Sequence, residues 1–200
     1  MNNKTAVYIH GMGGSADEAK RYIPLFSGFD VIGFDYKSNT PWEAENEFPA
    51  FFDPIHKEYG SVILIANSIG AYFAMQALDG KRIKKAFFIS PVLDMEGIIT
   101  GMMANGGISE DELRGKGEII TASGQVLSYK YLCYAREHPT CFCAPSYIIY
   151  GENDTITPIS AVYDFAEKNG AEVNVMEGGE HWFHTDKQLK FVDSVIKRFL

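Results

Sequence analysis

The chain has 200 residues, a formal net charge of −8, and 46% apolar and 14% aromatic residues. A chain of that length can bury roughly 70% of the surface its unfolded form exposes, and the composition is that of one globular domain, 1–200. The acidic balance excludes recognition of nucleic acid or an anionic membrane face, which needs clustered cations; Lys81-Arg82 with Lys84-Lys85 is a short run better read as a solvated connection.

In chain order, Met1-Asn2-Asn3-Lys4-Thr5 carries no apolar signal core, and no segment approaches a membrane span, so the expected location is the cytoplasm. Ala6–Ile9 predicts a strand running into His10-Gly11-Met12-Gly13-Gly14, followed by a helix over Asp17–Leu25. A second strand is expected at Asp30–Phe34 and a helix from Pro41 to Tyr59, interrupted at Pro54. The aliphatic run Ile63–Ala66 reads as a buried strand, with a helix over Ile69–Leu78 and a strand over Lys85–Ser90 beyond it. The stretch 92–144 breaks this rhythm. It holds an apolar cluster at helical spacing (Ile98, Ile99, Met102, Met103), a capped acidic helix from Ser109, a hairpin turning at Ser123-Gly124, and a helix over Ser128–His138. A strand at Tyr147–Tyr150, a helix over Pro158–Lys168, a strand at Glu172–Met176 and a helix over Lys187–Phe199 close the chain. Strand–helix alternation predicts an α/β fold: a mostly parallel sheet of about six strands with helices on both faces, three layers in all.

Three segments carry residues suited to nucleophilic catalysis. Ser68 ends the Ile63–Ala66 strand and precedes a helix, so its hydroxyl is expected on a tight turn, with the Ile69 N–H at the positive end of the helix dipole. Asp154 follows a later strand in Gly151-Glu152-Asn153-Asp154. It stands too early to cap the next helix, a task for which Thr157 before Pro158 is well suited. His181 sits on a Gly178-Gly179 loop after the last strand, free to approach the serine, while His184 is expected in the final helix. The His181-x-x-His184 spacing has no third ligand, so no metal is expected. Cys133, Cys141 and Cys143 are odd in number and read as buried or semi-buried thiols without a disulfide framework.

With Ser68, Asp154 and His181 in that order, the chain resembles the α/β-hydrolases, whose triad runs nucleophile, acid, histidine. The elbow pattern G-x-S-x-G is present except that Ala66 replaces its first glycine, and the family's usual N-terminal antiparallel hairpin has no room here. The resemblance implies that Met12, after His10-Gly11, donates its backbone N–H to an oxyanion together with Ile69, leaving His10 to shape the loop. It also implies that 92–144 is a lid, with Met102 and Met103 as candidate substrate-binding residues. The glycine-rich N-terminal loop lacks both G-x-x-x-x-G-K-[ST] and G-x-G-x-x-G, so a phosphate site is not expected.

The chemistry expected is hydrolysis of a small-molecule acyl substrate, a carboxylic ester, without a cofactor. His181 takes the serine proton, Asp154 orients His181, and activity falls on acidification near the ordinary histidine range, about 6.5. Asp94 and Asp35 are weaker candidates for the acid. Thioester, amide or carbon–carbon bond hydrolysis could run on the same residues, and a non-catalytic ligand-binding role is the alternative of a different class. Oligomeric state is not legible.

Overall fold

The computed structural model describes residues 4–122 and 124–200; the N-terminal segment Met1–Asn3 and the Ser123 half of the expected hairpin turn lie outside them. The chain divides into two compact units, one running up to Leu93 and resuming at Thr140–Leu200, the other spanning Asp94–Pro139.

In the larger unit β1 (Thr5–Ile9), β2 (Asp30–Phe34), β3 (Val62–Asn67), β4 (Ile83–Ile89), β7 (Ser146–Gly151) and β8 (Glu172–Met176) form a six-stranded sheet in the order β2-β1-β3-β4-β7-β8. Every pair is parallel. Strands covered on both faces read as unbroken apolar runs, and Val62–Ala66 is such a run, 2% exposed at most. Alternate residues serve the two faces. Ala6, Tyr8, Ile63, Ile65, Phe87 and Ile89 point toward a cluster with Tyr22, Phe26, Val192 and Ile196. Those partners come from a 3-10 helix at Ala16–Leu25 and from α7 (Asp186–Phe199). The opposite face meets α2 (Ile69–Leu78), against which α1 (Pro41–Tyr59) packs. There Phe34 stacks on Phe51 with centroids 4.0 Å apart and meets Phe48 edge-on at 4.9 Å. Helix α6 (Ile159–Asn169) lies against β8.

Four local expectations are corrected. The segment expected as an α-helix at Asp17–Leu25 winds as a 3-10 helix, with Pro24 inside its last turn. Helix α1 continues through both Pro49 and Pro54. Each proline removes one backbone donor, but the buried Ala44, Phe48, Phe52 and Ile55 hold the helix on its neighbours across those gaps. Pro158 stands at the N-cap of α6 instead of its first turn, because the Thr157 hydroxyl is drawn inward to donate to the Pro91 carbonyl at 2.9 Å. His184 precedes α7, which is capped by Thr185 in a capping box with Gln188.

The smaller unit contains α3 (Met95–Gly106), α4 (Glu110–Lys116), the antiparallel pair β5 (Glu118–Ile120) and β6 (Val126–Ser128), and α5 (Tyr129–Glu137). Met95, Ile99, Met103, Leu113, Leu127 and Leu132 are its buried apolar residues. Arg136 of α5 grips Glu110 through two bonds of 2.8 and 2.9 Å and reaches Glu96 at 2.7 Å, tying its three helices together.

Among the described residues no helix is long and apolar enough to cross a membrane, and no group of three or more His, Cys, Asp or Glu side chains could hold a metal ion. The thiols differ from expectation. Cys133 is half-buried, but Cys141 and Cys143 are exposed, each with its Sγ 3.7 Å from Asp79 Oδ2. In their short segment before β7 the residue between them, Phe142, is the one turned inward, packing edge-on against Phe88, and the two thiols are left outside.

Candidate active site

The sheet order reverses between β1 and β3, since the chain crosses from β1 out to β2 and then back past β1 to β3. Ligands on open parallel sheets bind at the carboxyl ends of strands beside such a switch. Ile9 pairs with Ala66 in this register, so the next residues of both strands emerge side by side.

Ser68 is the first residue beyond β3. Its backbone takes φ 51° and ψ −122°, a conformation that favours glycine and costs a non-glycine residue about 1–3 kcal/mol. Its surroundings hold it there. Ser68 N–H donates to the Ile89 carbonyl at 2.9 Å, and the Ser68 carbonyl accepts from Ala71 N–H at 3.1 Å and Val92 N–H at 3.3 Å. Gly70 completes the elbow because a Cβ there would collide with the His10 carbonyl, and a Cβ on Gly11 would stand 3.1 Å from Ser68 Cβ. Ala66 is fully buried and tolerated, so the first glycine of the motif is dispensable in this packing.

Asp154 and His181 reach the serine from β7 and β8. Ser68 Oγ lies 2.8 Å from His181 Nε2, and His181 Nδ1 lies 2.7 Å from Asp154 Oδ2. The Asp154 side chain is fully buried while His181 keeps 17% exposure, so the imidazole can meet solvent and its partner cannot. The other carboxylate oxygen, Asp154 Oδ1, accepts from the Ile156 and Thr157 N–H groups at 2.8 and 3.2 Å. The carboxylate therefore shapes its own turn with one oxygen and orients the imidazole with the other. Backbone bonds stitch the two loops together: Asn153 N–H to the Gly179 carbonyl at 2.7 Å, and Glu152 N–H to the Met176 carbonyl at 3.0 Å. A Cβ on Gly151 would sit 2.6 Å from the Glu180 carbonyl, so this seam also requires a glycine. Burial, with the Asp154 charge second, raises the Tyr150 phenol above its usual range, keeping it a donor to the Thr157 carbonyl at 2.7 Å.

Met12 occupies the second position of a turn closed by Gly14 N–H to the Gly11 carbonyl at 3.1 Å, with Gly13 at φ 73°. That is the glycine position of a type II turn. His10 stands behind the loop as a structural residue: Nδ1 is 2.8 Å from the Gly11 carbonyl, its ring stacks on Tyr36 at 4.4 Å, and its own carbonyl accepts from Tyr36 O–H. Ile69 opens α2, where a first-turn N–H has no partner within the helix.

The rival acids have other work. Asp94 caps α3, accepting from Gly97 N–H at 2.8 Å, and Asp35 is exposed and paired with Lys37 at 2.7 Å. Met103 is buried and Met102 half-buried within α3 of the smaller unit.

A cavity of about 430 Å³ opens on Ser68 and His181, walled by Gly11–Gly14, Glu18, Asn67, Ile156 and Trp182. Met12, Ile156 and Trp182 are 88%, 45% and 70% exposed, large apolar side chains in the wall of the cavity over Ser68. Sequence reasoning missed Glu18, Asn67, Ile156 and Trp182. Asn67 and Trp182 adjoin Ser68 and His181 in the chain and were within reach of a neighbour rule, whereas Glu18 gives no signal beyond its place in a capping box with Ser15.

A six-stranded parallel sheet with a serine elbow, and with acid and histidine on the following strand ends in that order, is the α/β-hydrolase fold. Comparison with solved structures agrees. The chain superposes on Est1E from Butyrivibrio proteoclasticus with a TM-score of 0.76, at 19% identity, over 98% of this chain and 86% of that one. Mouse alpha/beta hydrolase domain-containing protein 10 matches with a TM-score of 0.73 at 20% identity, over 97% and 88% of the two chains. A soluble variant of the monoglyceride lipase of Saccharomyces cerevisiae, in complex with a substrate analogue, matches with 0.66 at 15% identity, over 98% and 85%. By sequence, a putative esterase/lipase of Mycoplasma genitalium is 35% identical over 74 residues, 36% of this chain and about a quarter (26%) of that protein's length. No family model matches the chain.

Proposed function

We infer that the protein is a serine hydrolase that cleaves small carboxylic esters through an acyl-enzyme. The observation that carries this reading is the continuous hydrogen-bonded chain Ser68 Oγ, His181, Asp154 Oδ2, with both links within 2.8 Å and its far end buried. The names of the compared proteins, esterase and lipase, support the same bond type.

Serine at its own pKa is a weak nucleophile, so His181 Nε2 removes its proton as Oγ attacks the ester carbonyl. The carbonyl π electrons move onto oxygen, and the Met12 and Ile69 N–H groups receive that charge, each worth roughly 2.7–4 kcal/mol in such sites. His181 then returns its proton to the departing alcohol. Water, deprotonated by the same imidazole, cleaves the acyl-serine to release the acid and restore Oγ–H. Asp154 keeps the proton of the neutral ring on Nδ1 and stabilises the imidazolium.

A fluorophosphonate probe tests the reading by intact mass. One adduct on wild type and none on Ser68→Ala is the expected result. A folded wild type that takes no adduct would overturn it.

A further inference from the structure

The cavity over Ser68 does not end at the nucleophile. A second cavity of about 400 Å³ shares Glu18, Asn67 and Trp182 with it and continues toward Tyr8, Tyr22 and Phe183. The shared wall is one place for a group attached to the reacting ester; a third cavity, of about 290 Å³, shares Gly11, Met12 and Gly13 with the serine cavity on its other side. Glu18 stands there, and among the described residues it is the one carboxylate lining the serine cavity, whose other side chains are apolar or uncharged apart from the base. It is also held still. Glu18 Oε2 accepts from Tyr8 O–H at 2.5 Å and Oε1 accepts from Ser15 N–H at 3.1 Å. Burial foremost, then Tyr22 and Glu18 itself, holds the Tyr8 phenol well above its usual range, so Tyr8 remains a donor. Among the described residues the basic side chains in the wall of the second cavity are Arg21 and His184, the latter with Nδ1 3.7 Å from Glu180 Oε2. Arg21, which lines it, is engaged by Asp193 and by the Leu189 carbonyl at 3.1 Å.

Resting on the ester-hydrolase reading above, we propose that Glu18 is a specificity-determining residue that selects esters bearing a hydrogen-bond donor, a hydroxyl or an ammonium, on an otherwise apolar aromatic-sized group. Two of its acceptor sites are spent on Tyr8 and Ser15, and the remaining lone pairs are available to such a donor. The aromatic side chains Tyr8, Tyr22, Trp182 and Phe183 give the apolar part of the group its surface. A substrate carboxylate in the same place would meet the like charge of the exposed Glu18.

The test is a set of phenylpropionate methyl esters carrying 4-hydroxy, 4-aminomethyl or 4-carboxy groups, with the corresponding 3-arylpropyl acetates so that both halves of the ester are sampled. The expected wild-type kcat/KM is higher for the donor-bearing member than for the carboxylate by on the order of tenfold or more, the scale of one charge-assisted hydrogen bond. In Glu18→Gln that ratio collapses toward unity for the ammonium substrate, while the hydroxyl substrate keeps part of its advantage because the amide still accepts. Equal turnover of ammonium and carboxylate esters by wild type would overturn the proposal without any variant. So would a Glu18→Gln enzyme that loses the same factor on every ester, which marks a structural residue only. Fluorophosphonate labelling of the same wild-type sample separates the two readings. No adduct removes the serine hydrolase itself, whereas an adduct without charge selection removes Glu18 alone.

Discussion

The backbone of Ser68 permits a comparison that separates chemistry from conformation. Ser68→Ala and Ser68→Gly both remove Oγ and its bond to His181, and both are expected to abolish turnover. They differ in that alanine keeps a Cβ at φ 51° whereas glycine does not. Release from that conformation is worth about 1–3 kcal/mol. Glycine gives back about 0.4–1 kcal/mol through the greater freedom of the unfolded chain. The balance leaves Ser68→Gly more stable than Ser68→Ala by about 1 kcal/mol, although glycine is ordinarily the worse residue. For a chain of this size that is roughly 2–4 °C in Tm. Differential scanning calorimetry of the two variants, with urea midpoints beside it, reads the difference. A glycine variant that melts below the alanine variant would refute the strain argument, because only the entropy term would then be acting.

Met12→Pro removes the proposed oxyanion N–H while suiting the second position of its turn; kcat should fall about 100–1000-fold with Tm little changed, and unaltered kcat would take Met12 out of the oxyanion site. Asp154→Asn should lower kcat by about 10³–10⁴-fold by favouring the wrong imidazole tautomer, whereas Asp94→Asn, a good cap replaced by another, should stay within a few-fold; equal losses in steady-state assays would break the assignment. Alkaline stability should follow the buried phenols. Burial pushes Tyr36 up to about 12, above its ordinary 10.0, so the folded state prefers the neutral phenol. That contribution is fully present below pH 10 and is lost as pH rises from 10 through 12. Urea midpoints measured from pH 8 to 12 should therefore decline above pH 10, less steeply in Tyr36→Phe, and an unchanged slope in that variant would exclude Tyr36 from the effect.

The parts legible in the sequence were those in which adjacent residues act together. Ser68 with Gly70, Asp154 with Gly151, and His181 with Gly178-Gly179 are each a candidate side chain beside a glycine of its turn, and the structure brings the three together. The apolar runs of β1, β3, β4 and β7 announced strands covered on both faces. Single-residue geometry was harder to read. Thr157 has the chemistry of an N-cap, yet its hydroxyl is bonded to the Pro91 carbonyl 66 residues away, and no local pattern reports such a partner. Pro54 was expected to interrupt α1, but aromatic packing of Phe48 and Phe52 outweighs the backbone bonds lost at Pro49 and Pro54. Glu18 was invisible for a similar reason, since its place beside the nucleophile depends on β1 and β3 being neighbours and on the helix after β1 folding back over the sheet.

The division of the triad across the sheet has a further consequence for how this protein fails. Ser68 rises from β3, in the interior of the sheet, but Asp154 and His181 follow β7 and β8, and β8 is an edge strand of half-exposed residues bonded on one side only. Edges fray before interiors, because each of their residues has fewer neighbours to give up. If His181 is the base proposed above, warming should release it while most of the sheet is still intact, so that catalysis would report on the border of the fold and a spectroscopic melt on its centre. Inactivation ahead of melting would then be reversible on cooling, a resting form of the molecule that precedes its loss.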